Sequence, residues 1–249
     1  MTVGRFLLAV AMTLLAVHSA AETPARIAII IDDLGYQLDA GRRAIELPGP
    51  VAYAVLPGTP SGQRLARMAH ERGKEVLLHL PLESVGHDGP AEPGALMLDM
   101  SRRTFQANFA NAIEAVPFAV GVSSHRGSLL TRHPGHMGWL MDAIRKREDL
   151  FFIDSYTTHE SIALQIAAEI GVTAIRRDVF LDHDRATKAV VRELDRLKAM
   201  ARKRGTAVAI GHPFPETLEV LERELPKLRE QGFELVSISE LIAMQLNRI

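Results

Sequence analysis

From Arg26 onward the chain alternates between short, continuously apolar runs and longer segments whose apolar residues recur every three or four positions. The short runs are Ile27–Ile31, Val51–Val55, Glu75–His79, Ala119–Val122, Leu150–Ile153, Val172–Ile175, Thr206–Ile210 and Glu234–Val236. Most are β-branched or Leu-rich and do not alternate with polar residues, the pattern of strands covered on both faces. Between them, stripes such as Phe105, Phe109 and Ile113, or Ile162, Ile166 and Ile170, predict helices with one apolar face. Val190, Leu194, Leu197 and Ala201 continue the series, as do Leu218, Leu221, Leu225 and Leu228. Seven or eight such units in succession predict a parallel sheet flanked by helices, either a closed (β/α) barrel or a doubly wound sheet. No linker or repeat interrupts the pattern, and the Gly- and Pro-rich stretch from Glu83 to Met100 reads as a loop near a site. A single α/β domain is expected.

The N-terminus departs from this pattern. Met1 to Arg5 is a short basic start, Phe6 to Val17 is apolar, and His18-Ser19-Ala20-Ala21 follows. Small residues in that place predict a signal peptide over 1–21, cleaved after Ala21 with Ala20 nearly as good a site, and a mature domain over 22–249. A helix over Phe6 to Val17 would rise only about 18 Å against a hydrocarbon core of about 30 Å, which argues against a membrane anchor. Export to the periplasm or the exterior is the expectation, with no stable membrane insertion after cleavage.

Charge and composition then exclude several classes. The chain carries 29 Lys and Arg against 30 Asp and Glu, which leaves no electrostatic footprint for nucleic acid. It has no cysteine, so disulfide scaffolds, thiol nucleophiles and Cys-ligated zinc are ruled out. G-x-G-x-x-G, G-x-x-x-x-G-K-[ST], G-x-S-x-G and H-E-x-x-H are also missing.

In a parallel α/β architecture chemistry gathers where strands end. Polar residues sit at those places: Asp32-Asp33 after the first strand, His79 at the third, and His125 after the fourth. Asp154 ends the fifth strand and His212 follows the seventh. Asp and His together match the ligand set of Zn²⁺ or a similar divalent ion, with positions left open for catalysis. In an extended strand end, Asp32 and Asp33 would point to opposite sides, so one would reach an ion and the other would act through water. His133 and His136 are a second pair, read as a polar helix start around Pro134 rather than as ligands.

These residues lie in five ordered segments: Ile29-Ile30-Ile31-Asp32-Asp33-Leu34-Gly35, His79-Leu80-Pro81-Leu82-Glu83, Gly121-Val122-Ser123-Ser124-His125-Arg126-Gly127-Ser128, Phe151-Phe152-Ile153-Asp154-Ser155 and Ile210-Gly211-His212-Pro213. Taken together, they resemble the divergent polysaccharide deacetylase family (YibQ-like), a remote branch of the NodB-type carbohydrate esterases. The resemblance runs from about Ala25 to Met244. It implies an irregular (β/α) barrel of the glycoside hydrolase/deacetylase type and a divalent metal, zinc or else manganese or cobalt. It also implies removal of N- or O-acetyl groups from an acetylated glycan. By resemblance Asp32 would be the general base, Asp33 a metal ligand and His212 the general acid. The family's usual His-[Ser/Thr]-x-x-x-His metal motif is missing, so the metal site is either rebuilt from separate strands, with His79 and His125 completing it and Asp154 orienting one of them, or lost. Two rival readings are a non-catalytic envelope protein that keeps the barrel to bind glycan or a cell-wall partner, and a metal-dependent phosphoesterase or amidohydrolase.

Overall fold

The computed structural model describes residues 24–86, 89–147 and 149–246; the expected signal peptide over 1–21 lies outside them. Nine strands alternate with eight helices in the described residues. The strands are β1 (Ala25–Leu34), β2 (Ala52–Val55), β3 (Val76–Leu82), β4 (Ala119–Arg126), β5 (Phe151–Asp154), β6 (Ala174–Arg176), β7 (Val179–Phe180), β8 (Thr206–Gly211) and β9 (Phe233–Leu235). The helices are α1 (Leu38–Ile45), α2 (Gly62–Glu71), α3 (Arg102–Glu114), α4 (Pro134–Arg145), α5 (Ala163–Ile170), α6 (Thr187–Arg204), α7 (Pro215–Glu224) and α8 (Ile238–Leu246). All eight expected strands form. β7 was not foreseen, nor were α1, α2 and α8.

Every pairing is parallel, and the sheet order is β6-β5-β4-β3-β2-β1-β8-β7, with β9 beside the start of β1. Only Arg177 and Asp178 separate β6 from β7. That stretch pairs with β5 through Ala174, Ile175 and Arg176, then with β8 through Val179 and Phe180. One interrupted strand thus joins the two ends of the curled sheet, which gives the irregular barrel expected.

Two apolar layers follow from the two-residue period of the strands. Ile27, Ile29, Ile31, Tyr53, Leu78, Val122 and Phe152 face the outer helices. Ala28, Ile30, Ala52, Ala54, Leu77, Phe151, Ile153, Val208 and Ile210 face the interior. The interior is filled from one end by Ile238, Leu241 and Ile242 of α8. That end is the one where strands begin, because the Glu75 carboxylate, just before β3, accepts from the backbone N–H groups of Ile238 and Ser239. With the N-terminal mouth plugged by α8, the C-terminal mouth is left for polar residues.

Candidate metal centre and active site

The interior-facing parity continues to the C-terminal rim and carries the site with it. Asp32 follows Ile30, His79 follows Leu77, and His212 follows Ile210, each two residues along its strand. His125 stands two residues beyond Ser123, whose hydroxyl meets that of Ser155 at 3.2 Å. Asp32 and His79 are each only 2% exposed.

Asp33 breaks the extended pattern. Its φ is +60°, a left-handed conformation that only Gly, Asn and Asp adopt readily, at a place where the β1–β2 register shifts. This turn corrects the expectation that the two carboxylates face opposite sides. Asp33 Oδ1 lies 3.1 Å from His79 Nε2, and Asp32 Oδ2 lies 3.5 Å from the same nitrogen. Arg126 and Tyr156, also at rim positions, share the left-handed conformation with φ values of +55° and +52°.

Three donor atoms converge. Asp33 Oδ1 is 2.9 Å from His125 Nδ1 and 3.1 Å from His79 Nε2, and the two nitrogens are 3.1 Å apart. Asp33 Oδ1 is nevertheless buried without a hydrogen bond of acceptable geometry. The two imidazole nitrogens are hydrogen-bonded to each other, and the three atoms together have the spacing of ligands of a common ion: donors about 2.0–2.1 Å from a tetrahedral Zn²⁺ stand roughly 3.3 Å apart. One carboxylate and two imidazoles therefore fit a divalent ion of that class. Burial works against the Asp33 charge, but contact with His125 and His79 outweighs it and holds the carboxyl below the usual range. His125 is shifted the other way: burial alone would lower its pKa, and Asp33 and Glu92 raise it.

The histidines are supported differently. The far nitrogen of His125, Nε2, stands 3.2 Å from Glu92 Oε2, and Arg126 Nε lies 3.0 Å from the same carboxylate. His79 Nδ1 is buried with no hydrogen-bond partner among the described residues, so that side of the ring is held by packing while Nε2 meets Asp33 and His125. Glu92 comes from the Gly- and Pro-rich loop after β3, which Leu82 and Leu96 pin back against the barrel through an isolated bridge.

Two further groups flank the cluster. Asp32 is fully buried; burial pushes its pKa up, the neighbouring histidines only partly offset this, and its Oδ1 has no partner. His212 Nε2 lies 3.7 Å from Asp33 Oδ2, and its Nδ1 lies 2.9 Å from Asp182 Oδ1. The other Asp182 oxygen accepts from the His212 backbone N–H at 2.6 Å and from Thr217 Oγ1 at 2.8 Å. Burial would lower the His212 pKa, yet the Asp182 carboxylate raises it above the ordinary value.

Asp154 does not join this group. Phe151 and Ile153 face the interior, so Asp154 falls on the opposite face of β5. Its oxygens accept from Ser161 Oγ at 2.7 Å and from the Tyr156 N–H at 2.8 Å, and it shapes a loop instead of orienting a histidine. Besides Asp32 and Asp33, the carboxylates that touch site histidines are Glu92 and Asp182, both missed in the sequence. Asp182 ends the apolar run Val179-Phe180-Leu181, the same signal that marks the other strand ends, but β7 is too short to stand out. His133 is the N-cap of α4, where its Nδ1 accepts from the His136 N–H, as its position beside Pro134 suggested.

The family model of the divergent polysaccharide deacetylases matches residues 29–242. The chain belongs to that family. It is 35% identical over 217 residues to the uncharacterized protein YibQ of Escherichia coli (strain K12), covering 87% of this chain and 67% of that one. Its fold matches the crystal structure of the uncharacterized protein ATU2773 from Agrobacterium tumefaciens C58 with a TM-score of 0.84, at 26% identity, over 88% of this chain and 89% of that one. The catalytic domain of a peptidoglycan N-acetylglucosamine deacetylase from Eubacterium rectale ATCC 33656 shares the fold at a TM-score of 0.52 and 13% identity, over 86% of this chain and 89% of that one. The deacetylase-family barrel thus carries its Asp, His and carboxylate cluster at the C-terminal mouth.

Proposed function

We propose that this deacetylase-family chain is an exported, divalent-metal-dependent hydrolase that removes acetyl groups from a cell-envelope or secreted polysaccharide. The observation that carries the reading is the convergence of Asp33, His79 and His125 within 3.1 Å, flanked by Asp32 and His212. An ion held there, zinc or else manganese or cobalt, would supply Lewis-acid polarisation of the acetyl carbonyl and a more acidic water.

The residues of the chain do the rest. Asp32 accepts the proton of the attacking water, and its burial strengthens it as a base. His212 donates a proton to the departing nitrogen or oxygen of the sugar. Asp182 holds the His212 ring with Nε2 toward the cleft and favours its protonated form. Glu92 holds His125 with Nδ1 toward Asp33.

The test is acetate release from an acetylated chitooligosaccharide and a peptidoglycan fragment across a metal titration. Asp32→Asn should keep the metal and lose about 10²–10⁴ in rate, since an amide cannot take the proton. Asp33→Asn should bind metal more weakly, with turnover partly restored by added metal. Wild-type rates from Asp32→Asn would overturn the assignment of the base. A metal-loaded wild type that releases acetate from no acetylated glycan would instead make the cleft a glycan-binding site without catalysis.

A further inference from the structure

Beside the cleft lies a cavity of about 490 Å³ between the β6–β7 stretch and α6. Five arginines line it: Arg176, Arg177, Arg192, Arg196 and Arg204. The acids facing them are Asp178, Asp184 and Glu193, which leaves the wall two positive charges in excess. Glu193 is shared between Arg196 at 3.2 Å and Arg192 at 3.8 Å, and Asp178 is engaged by Arg204 at 2.8 Å.

Arg176 and Arg177 make no ion pair among the described residues. The Arg176 guanidinium lies 4.2 Å over the Tyr156 ring, and that of Arg177 lies 4.8 Å from the Phe180 ring centre. Arg177 donates to the backbone carbonyls of Ser155 and Tyr156, and it is half-buried. The Asp154 carboxylate acts on both guanidinium groups only from beyond ion-pair distance, and their planar forks suit carboxylate or phosphate.

One residue stands between the cavity and the proposed active site. The Phe180 ring forms part of its wall and also lies 5.1 Å, centre to centre, from the His212 imidazole. Tyr156, at the left-handed turn after β5, adds a second ring. Aromatic faces and arginines at the edge of a glycan cleft are the furniture of a site for a charged sugar rather than a neutral one.

We propose that this cavity is a subsite for an acidic substituent, a carboxylate or a phosphate, on the glycan whose acetyl group lies beside Asp32 and His212. The inference rests on the deacetylase reading and narrows its substrate class to anionic glycans. The subsite fixes the chain through its charge, and the acetylated residue is presented to the cleft across Phe180.

The test compares binding, by calorimetry with the metal-loaded protein, of four probes. These are a neutral chitooligosaccharide, an oligosaccharide alternating N-acetylglucosamine with glucuronate, a phosphodiester-linked N-acetylhexosamine oligomer and oligoglutamate. Arg176→Ala and Arg192→Ala alter exposed positions away from the cleft, and their circular dichroism should match wild type. Each should weaken an acidic oligosaccharide on the order of 10-fold, leave the neutral one unchanged, and flatten the salt dependence of binding. The uronate and phosphate probes distinguish the two sources of negative charge. Equal wild-type affinity for neutral and acidic oligosaccharides, or no loss in either variant, would overturn the subsite. Oligoglutamate binding as tightly as the acidic glycans would overturn the glycan assignment in favour of an acidic protein segment. Acetate release is read in parallel: if no probe is deacetylated but the acidic glycans still bind through Arg176 and Arg192, the catalytic reading fails and the subsite stands.

Discussion

Glu92 offers the sharpest check on how the proposed metal centre is built. Its carboxylate stands 3.2 Å from His125 Nε2, while His125 Nδ1 points at Asp33 from 2.9 Å. A neutral imidazole has one N–H and one lone pair, so an acceptor at Nε2 places the lone pair on Nδ1, where a ligand needs it. Removing the acceptor by Glu92→Ala frees the tautomer and the ring rotation together. A hydrogen bond to a charged group contributes about 1.5–3 kcal/mol, and here two factors reduce it. Arg126 Nε shares the carboxylate at 3.0 Å and also reaches His125 Nε2 at 3.3 Å, where it competes for the opposite tautomer, and the Glu92 side chain is 20% exposed. About 1.4 kcal/mol is expected, a loss of roughly 10-fold in metal affinity. Glu92→Gln keeps an acceptor oxygen and should lose less. Competition against a chromophoric chelator measures the affinity, and ¹⁵N shifts of the His125 ring report its tautomer without any turnover. An alanine variant that binds metal as tightly as wild type, with the His125 tautomer unchanged, would refute the reasoning.

Three other outcomes are expected. Asp182 raises the His212 pKa against the effect of burial, so His212 stays protonated past its ordinary value near 6.5 and the alkaline limb of the pH–rate profile lies above it; Asp182→Asn should move that limb to lower pH, and an unmoved limb would remove His212 from the acid role. Exported protein should begin at Ala21 or Glu22 when sequenced from the N-terminus, whereas full-length chain in the membrane fraction would favour an anchor. At Asp33, where φ is +60°, Gly should be more stable than Ala by roughly 1 kcal/mol in urea unfolding, while at Asp32, within the strand, Ala should be the better of the two.

Much of the barrel was legible because buried parallel strands leave unbroken apolar runs. What escaped notice did so for identifiable reasons. β7 has two residues, fewer than any periodicity can mark. The buried stripes of α1 and α2 carry one large apolar residue each, Ile45 and Leu65; the rest are Gly41, Ala44, Gly62, Ala66 and Ala69, too small to read as an apolar face. α8 looks like any amphipathic helix, and nothing local says that Ile238, Leu241 and Ile242 enter the barrel instead of packing outside it.

The site divides along the same line. Asp32, His79 and His212 were readable because a strand's two-residue period carries interior parity straight to the rim, and the same parity argues against Asp154 once the facing of Phe151 and Ile153 is known. Parity fails where the backbone leaves the extended region. At Asp33 a left-handed residue turns a carboxylate that belonged on the outer face back into the mouth, so two adjacent acids reach one imidazole nitrogen at 3.5 and 3.1 Å. Such conformations cost about 1–3 kcal/mol each and persist only where surrounding structure over-determines them. Here β1 is bonded on both edges, to β8 on one and to β9 and β2 on the other, and that pairing holds the rim in place. The chain that lacks the family's two-histidine loop motif thus brings three candidate ligands together from β1, β3 and β4, with β2 between the first two. A ligand set drawn from separate strands depends on sheet register, which is why Asp33, His79 and His125 are spread over 93 sequence positions yet meet within 3.1 Å.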